Sequence, residues 1–149
     1  MDEPDQQARK QRHAESIHRL RQKRPLKGFE FYRSRTSNHA PVEKFMRNMG
    51  SPWEQGEFQT ELDMLGNLGP AAGPTKTKPV RSKIWEWRFD INSCTYRVFY
   101  AVDDQRAVLL HAVVKAKKGL LQQDIETALN RWNDYLSQKQ RQMPKGVKT

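Results

Sequence analysis

The stretch from Lys83 to Lys118, KIWEWRFDINSCTYRVFYAVDDQRAVLLHAVVKAKK, limits most strongly how this chain can fold. It is rich in aromatic and β-branched residues, which favour strands, and the polar sequences INSC and DDQ interrupt it. Strands joined by turns this short pair with their neighbours along the chain. We therefore expect an antiparallel meander of three strands, IWEWRFD, TYRVFYAV and RAVLLHAVVKA.

Pairing the first two of these strands separates their side chains into two faces. If Asp90 lies opposite Thr95, one face carries only apolar and aromatic pairs, and that face is expected to be the core. These pairs are Trp85 with Tyr100, Trp87 with Val98, and Phe89 with Tyr96. On the opposite face, Arg88 then lies directly across from Arg97.

The second hairpin extends this separation to the third strand. If Val102 lies opposite Arg106, then His111 comes opposite Arg97. The core face gains Val108, Leu110, Ala112 and Val114, and the other face gains Leu109, His111, Val113 and Lys115. A slip of one residue would exchange the two sets, so the alternation is expected to hold the register. One face of the sheet thus collects Arg88, Arg97, His111 and Lys115.

The rest of the chain predicts one short strand and three helices. The strand is expected within Gly28–Arg35, the first helix within SNHAPVEKFMRNMG, the second over about Trp53–Asn67, and the last from about Gln122. The apolar stripe of the last helix consists of Ile125, Leu129, Trp132 and Leu136. The glycines and prolines of GPAAGPTKTKPV predict a loop.

The predicted order is β-α-α-β-β-β-α, which is typical of an α+β fold because strands and helices are segregated along the chain. We expect a small, mostly antiparallel four-stranded sheet with the helices packed on one face. This domain is expected over residues 27–137. Residues 1–26 predict a basic N-terminal arm, disordered or loosely helical, and residues 138–149 a basic polar tail.

Charge and composition restrict the class of partner. The 149 residues carry a formal net charge of +10, which attracts polyanions such as RNA, DNA or an anionic membrane. The single cysteine, Cys94, allows no disulfide within the chain and no cysteine-based zinc site, so a reducing cytoplasm is expected. No apolar run approaches the length of a membrane span, and the N-terminus lacks the apolar segment of a signal peptide.

The arginines of the non-core face allow two interpretations. Like charges directly across two strands destabilise a sheet, so either neighbouring acids neutralise them or an anion uses them. Glu86 and Asp90 lie on the same face and fit the first interpretation, a salt-bridged outer surface. The second interpretation is a phosphate site, because arginine offers paired donors to phosphate and an imidazole exchanges protons near neutral pH.

The motifs of this region resemble those of the RelE/ParE toxin superfamily, and most closely its HigB-like, phage-derived branch. In that family a lysine-bearing loop precedes W-E-[LW]-R, then Y-R-V-x-Y, then an apolar strand that ends in lysine. The matching elements here are Lys76 and Lys78, Trp85-Glu86-Trp87-Arg88, Tyr96-Arg97-Val98-Phe99-Tyr100, Lys115, and the helix start Asp124-Ile125-Glu126-Thr127-Ala128. The resemblance covers roughly residues 28–136.

The resemblance implies the toxin of a type II toxin–antitoxin system, with helices on one sheet face and the active site on the other. Many such toxins cleave mRNA on the ribosome without a metal, by attack of the RNA 2′-hydroxyl on the adjacent phosphate. The implied partners are mRNA, the ribosome and a cognate antitoxin, often a helix-turn-helix protein. No small-molecule cofactor, metal or membrane is expected.

This reaction needs a base, an acid and cations that stabilise the charged phosphorane. Arg88 and Arg97 are expected to bind the transition state, His111 to carry a proton, and Lys115 to complete the catalytic set. The residues expected to hold flanking RNA phosphates are Lys76, Lys78, Arg81, Lys83, Lys117 and Lys118.

The chain departs from the HigB-like pattern after the last strand. Many relatives carry K-K-x-x-K-T-P there, whereas this chain reads Lys115-Ala116-Lys117-Lys118-Gly119-Leu120-Leu121. Two alternatives therefore stay open beside the endonuclease. One is a ParE-like gyrase inhibitor on the same fold, and the other is a catalytically inactive, nucleic-acid-binding relative.

Overall fold

The computed structural model describes residues 26–114 and 121–142. The expectations for the N-terminal arm up to residue 25 lie outside these residues, as do those for the end of the tail from residue 143. The same holds for Lys115, Lys117 and Lys118, so their predicted roles stay predictions.

The described residues form an α+β fold, as the order of elements predicts. The strands are β1 (Phe29–Phe31), β2 (Thr77–Arg81), β3 (Ile84–Ile91), β4 (Cys94–Asp103) and β5 (Arg106–Val114). The helices are α1 (Pro41–Arg47), α2 (Pro52–Leu68) and α3 (Leu121–Gln142), and a short 3₁₀ helix, Gly69–Ala72, follows α2. The strand order is β1-β5-β4-β3-β2, with β1 parallel to β5 and the other pairs antiparallel.

A fifth strand occupies part of the segment predicted to be a loop, so the expectation of four strands is wrong. β2 pairs with β3 alone and forms an edge of the sheet, the position in which a strand tolerates a proline such as Pro79. Thr77 lies opposite Trp87, and its hydroxyl donates to the carbonyl of Glu86 at 2.7 Å. This pairing outweighs the local preference of glycine and proline for a loop.

The first hairpin has the predicted register. Asp90 lies opposite Thr95, and Arg88 opposite Arg97. The turn residue Asn92 has a φ of 56°, a left-handed conformation that asparagine tolerates well. The predicted apolar pairs are present and buried: Trp85 with Tyr100, Trp87 with Val98, and Phe89 with Tyr96. We call the side of the sheet that carries these pairs the first face, and the side with Arg88 and Arg97 the second face.

The second hairpin differs from its predicted register by one residue. Asp103 lies opposite Arg106, where the sequence predicted Val102 in that position. The reason is the turn, which consists of two residues only. Asp104 and Gln105 both have positive φ, 49° and 66°, as a tight two-residue hairpin turn requires.

A bulge in β5 changes the register again. Tyr100 lies opposite Leu109, but Phe99 lies opposite His111, so Leu110 is an extra residue without a direct partner. An extra residue reverses which face the following side chains occupy. His111 therefore stays on the second face, as predicted, although the turn is shifted.

Because of the bulge, Arg97 has a different neighbour on β5 from the one that the sequence predicted. Arg97 lies opposite Val113, so the expectation that His111 lies opposite Arg97 is wrong. Ala112 packs in the core of the first face, as predicted. The expected faces are wrong for three residues of β5: Leu109 packs on the first face, and Val108 and Leu110 pack on the second.

Helices cover both faces of the sheet, so the expectation of a single helical face is also wrong. On the first face, α1 and α2 bury Val42, Phe58, Leu62 and Leu65 against the strands. On the second face, α3 packs through Ile125, Ala128 and Trp132 against Phe99, Ala101, Val108 and Leu110. The register of β5 is the physical cause, because the shifted turn places Val108 on the second face, the bulge leaves Leu110 there too, and the resulting apolar patch must be covered.

Hydrogen bonds hold α3 along its length. The hydroxyl of Tyr32 donates to Asp134 at 2.6 Å, and that of Tyr135 donates to Asp103 at 2.8 Å. Burial and the bond to Asp134 raise the pKa of Tyr32 to about 12. The helix extends to Gln142 and thus includes the first residues of the predicted tail. None of the helices in the described part of the chain is long and apolar enough to cross a membrane.

Candidate functional site

The second face is covered at one end and accessible at the other. Phe99 is fully buried under α3, whereas Arg88 and Asp90, further along β3, are exposed. Arg97 and Thr95 on β4 are partly exposed beside them. We call this accessible area the arginine face and define it by Arg88, Asp90, Thr95 and Arg97, with Glu86 and His111 at its border. It is the candidate site because it carries the arginines singled out in the sequence.

Arg88 and Arg97 are Cα partners on the two adjacent strands β3 and β4, so their side chains leave the sheet side by side. Asp90 and Thr95 form the next pair, and the Thr95 hydroxyl donates to Asp90 at 2.7 Å. Asp90 is thus bonded to threonine and forms no ion pair with a described residue. The arginine pair therefore keeps its positive charge in the accessible part of the face.

A buried acid lies beneath this pair. The side chain of Glu86 is only 1% exposed, and its Oε1 lies 3.5 Å from Nε of Arg97, whose side chain is 15% exposed. Among the described residues, neither Oε2 of Glu86 nor Nε of Arg97 has a hydrogen-bond partner. Of the two acids expected to neutralise the arginines, only Glu86 forms an ion pair, and it does so with Arg97 from below the surface.

His111 is held between β5 and α3. Its Nε2 lies 2.9 Å from Oδ1 of Asp124, and Arg131 donates to its Nδ1 at 3.1 Å and to the carbonyl of Leu110 at 2.9 Å. Since an arginine can only donate, Nδ1 must accept, and the proton of a neutral ring lies on Nε2 and points to Asp124. The ring also stacks on Phe99, with centroids 5.9 Å apart.

The surroundings of His111 favour its neutral form. Burial lowers the pKa of the imidazole below its ordinary value of 6.5; the hydrogen bond to Asp124 opposes this effect, and the charge of Arg131 adds to it. At neutral pH the ring is therefore uncharged. Within residues 26–114 and 121–142, no group of three or more His, Cys, Asp or Glu side chains is arranged to hold a metal ion.

The predicted phosphate-binding residues of β2 and the following turn differ in position. Lys78 lies opposite Glu86 and is exposed, which places it on the strand next to the arginine face. Arg81 is exposed at the end of β2, and Lys83 is exposed in the turn between β2 and β3. All three can meet a solvent-borne anion.

Lys76 is placed differently, because its side chain packs against the first face. Its Nζ lies 2.6 Å from Oε1 of Glu61 on α2, and the same oxygen accepts from Nε1 of Trp87 at 3.1 Å. The ammonium group also lies 5.4 Å from the Trp87 ring centre and 5.9 Å from that of Phe89. These contacts join α2 to the sheet, and the structure does not bring Lys76 together with the arginines.

The sequence alone did not identify the two hydrogen-bond partners of His111, Asp124 and Arg131. Asp124 was noted only as the acid in a family motif, and Arg131 was not singled out. They are seven residues apart on one helix and therefore share a face, a spacing that can be read from the sequence. What the sequence does not give is the docking of that face against β5.

Known proteins match this chain at the level of a family. Residues 45–133, more than half of the chain, match the model of the family described as "Phage derived protein Gp49-like (DUF891)". The match runs from α1 into α3 and includes the whole arginine face. No curated protein and no solved structure matches the chain.

Proposed function

Since the chain belongs to the phage-derived Gp49-like family, which lies within the RelE/HigB-like toxin superfamily, we propose that it is the toxin of a type II toxin–antitoxin system and acts as a metal-independent mRNA endonuclease on the ribosome. A cognate antitoxin, of the helix-turn-helix type, is its proposed inhibitor. The family supports the toxin and its antitoxin, and the site chemistry below supports cleavage of RNA.

The arginine pair is the observation that carries this proposal. Arg88 and Arg97 are in register on adjacent strands, on a part of the sheet that α3 leaves accessible. Two like charges in this position destabilise a sheet; Glu86 offsets this from below the surface, and an anion bound on the accessible side would offset it further. A guanidinium presents a planar fork of donors that matches phosphate oxygens, so a pair of them suits a phosphodiester.

The proposed reaction is an in-line attack within the RNA strand. The 2′-oxygen forms a bond to the adjacent phosphorus, the 2′-hydroxyl gives its proton to a base, and the bond from phosphorus to the 5′-oxygen breaks. The departing 5′-oxygen takes up a proton, and the other product carries a 2′,3′-cyclic phosphate. Arg88 and Arg97 stabilise the additional negative charge of the phosphorane between these steps.

His111 is the proposed proton carrier, because it lies on the second face opposite Phe99, two residues along β4 from Arg97. Its lowered pKa favours the neutral ring, which is the form that accepts a proton. Both ring nitrogens are bonded, to Asp124 and Arg131, so one of these bonds must be exchanged for a bond to RNA before proton transfer.

The basic residues around the site are the proposed contacts to flanking phosphates. Lys78, Arg81 and Lys83 are exposed on β2 and the turn that follows it. Lys115 is proposed to complete the catalytic set, with Lys117 and Lys118 as further phosphate contacts. Lys76 remains a prediction with less support, because Glu61 already binds its ammonium group.

A catalytically inactive, nucleic-acid-binding relative is the second candidate, and one observation favours it. His111 is bonded at both nitrogens, and that bonding serves the docking of α3 as well as it would serve catalysis. Such a protein would bind RNA through the same arginines without cleaving it. A gyrase inhibitor on the same fold is a further outcome that the experiment below distinguishes.

The test is expression of the chain in a bacterium, followed by mapping of the 5′ ends of cellular mRNA. Arg97→Ala is the test variant. Arg106→Ala, an exposed arginine at the opposite end of the sheet, is the matched control. We expect growth arrest and new 5′ ends within translated codons for the wild type and the control, and neither for Arg97→Ala.

Other outcomes would contradict the proposal. Growth arrest with intact mRNA and damaged DNA would support the gyrase inhibitor. RNA binding by the purified protein without arrest or cleavage would support the inactive relative. The product upstream of the cut, made by the purified protein with ribosomes, must also carry a 2′,3′-cyclic phosphate, since the proposed attack comes from the 2′-hydroxyl.

A further inference from the structure

Glu86 is the charged residue whose environment is hardest to explain by folding alone. Its side chain is 1% exposed in the middle of β3, and Oε2 has no hydrogen-bond partner among the described residues. A buried carboxylate oxygen without a donor costs stability, and an apolar side chain would avoid that cost at this position. The contact that Glu86 does make is therefore informative.

That contact is directed at the candidate site. Oε1 of Glu86 lies 3.5 Å from Nε of Arg97, and this Nε is itself buried. The cross-strand neighbours of Glu86 are Phe99 on β4 and Lys78 on β2. Among the described residues, no ion pair joins Glu86 to Lys78, although they are Cα partners, so the carboxylate serves Arg97.

We propose that Glu86 is a positioning residue that holds the guanidinium of Arg97 by its Nε side and leaves its terminal nitrogens for a phosphate of the RNA. This inference rests on the proposed function of the arginine face. Glu86 lies too deep to touch the substrate, so it acts only through Arg97. Its negative charge also offsets the repulsion between Arg97 and Arg88 before an anion binds.

The consequence is a specific kinetic pattern. Arg97 stabilises charge that develops in the transition state, whereas exposed residues such as Arg88 and Lys78 also hold the ground state. Loss of the Glu86 carboxylate would loosen the orientation of Arg97 and affect the chemical step. We expect Glu86→Gln to lower kcat about ten- to a hundredfold and to change KM by less than about twofold.

The variant series separates positioning from folding. Glu86→Gln has the same shape without the charge, and Glu86→Asp keeps the charge on a shorter side chain and should retain more of the activity than Glu86→Gln. The matched control is Glu57→Gln, the same change at an exposed acid of α2, which packs on the other face of the sheet, and it should keep wild-type kcat. Equal kcat for wild type and Glu86→Gln, or a kcat for Glu57→Gln as low as that of Glu86→Gln, would overturn the inference.

A second measurement does not depend on RNA cleavage. The proton–nitrogen signal of the Arg97 Nε–H group can be identified by its loss in Arg97→Lys. We expect this signal to be resolved from those of exposed arginines in the wild type and in Glu86→Asp, and to merge with them in Glu86→Gln. If Glu86→Gln does not fold, the Arg97 Nε–H signal of the wild type is instead compared with that of Glu86→Asp in the presence of inorganic phosphate.

The two measurements distinguish the inference from the proposed function. If the wild type does not cleave RNA, the proposed function fails, and the Arg97 signal still decides whether Glu86 positions the guanidinium. An unchanged Arg97 signal in Glu86→Gln would overturn the inference even in an active enzyme. In the substitute experiment, an Arg97 signal of the wild type that already coincides with those of exposed arginines would do the same.

Discussion

Nε2 of His111 on β5 lies 2.9 Å from Oδ1 of Asp124 in the first turn of α3. This bond joins the last strand to the last helix at the border of the arginine face. Arg131, two turns further along the same helix, donates to the other ring nitrogen, so the imidazole is held from both sides. The protonation state of His111 therefore affects the docking of α3 at this end of the helix.

Stability is expected to fall at mildly acidic pH because the pKa of His111 is lowered in the folded protein. The unfolded state binds a proton at about 6.5, whereas the folded state binds it only at lower pH. The free energy of unfolding is thus highest above 6.5 and decreases as the pH falls from 6.5 to the lowered pKa. Urea unfolding at several pH values measures this decrease.

The test variant for this pH dependence is His111→Gln. Its matched control is His39→Gln, which replaces an exposed histidine. His111→Gln should flatten the profile between pH 6.5 and the lowered pKa, and His39→Gln should leave it unchanged. A profile that is equally steep in His111→Gln would show that another group causes the decrease.

Asp124→Ala should loosen the start of α3. The variant leaves the Nε2 proton of a largely buried ring without its acceptor, which costs about 1–3 kcal/mol of unfolding free energy. Asp124→Asn retains an acceptor oxygen and should lose less. Glu126→Ala, an exposed acid in the same part of the helix, is the control and should change stability by less than about 0.5 kcal/mol in urea unfolding.

Arg88→Ala should weaken RNA binding while it stabilises the fold. Removing one of two like charges across β3 and β4 relieves a repulsion of about 0.2–1 kcal/mol. The same change removes a phosphate contact, so the plot of log affinity against log salt for a single-stranded oligodeoxynucleotide should become shallower by about 0.7. Arg106→Ala should leave the slope unchanged. A loss of stability in Arg88→Ala would argue for a structural role of this arginine.

Tyr32→Phe tests the middle of the α3 interface. The change removes only the hydroxyl that donates to Asp134 at 2.6 Å, so the apolar packing of the ring remains. A hydrogen bond to a charged acceptor contributes about 1.5–3 kcal/mol, and the partial exposure of Asp134 places the expected loss at the lower end of that range. Thermal unfolding measures it, and an unchanged Tm would contradict the importance of this bond.

The sequence predicts the first hairpin and the sorting of its side chains correctly. Trp87 and Phe89 are apolar and point to one face of the strand, whereas Arg88 and Asp90 are charged and point to the other. Only one register keeps these charges out of the core. The helices α1 and α2 follow equally from the spacing of their apolar residues and from the Pro and Gly residues near their ends. Local patterns suffice here because each has a single favourable arrangement.

The tertiary structure alone decides the rest of the site. Leu109 and Leu110 are both apolar, so alternation cannot tell which one is the extra residue of the bulge, and the covering of the second face by α3 depends on that choice. Likewise, β2 becomes a strand because an edge of β3 is available for pairing. The sequence by itself determined that arginines would share a face; only the packing of α3 decided that part of this face stays accessible and that His111 is bonded to Asp124. The physical reason is that such contacts depend on burial between segments far apart in the chain, which no local pattern encodes.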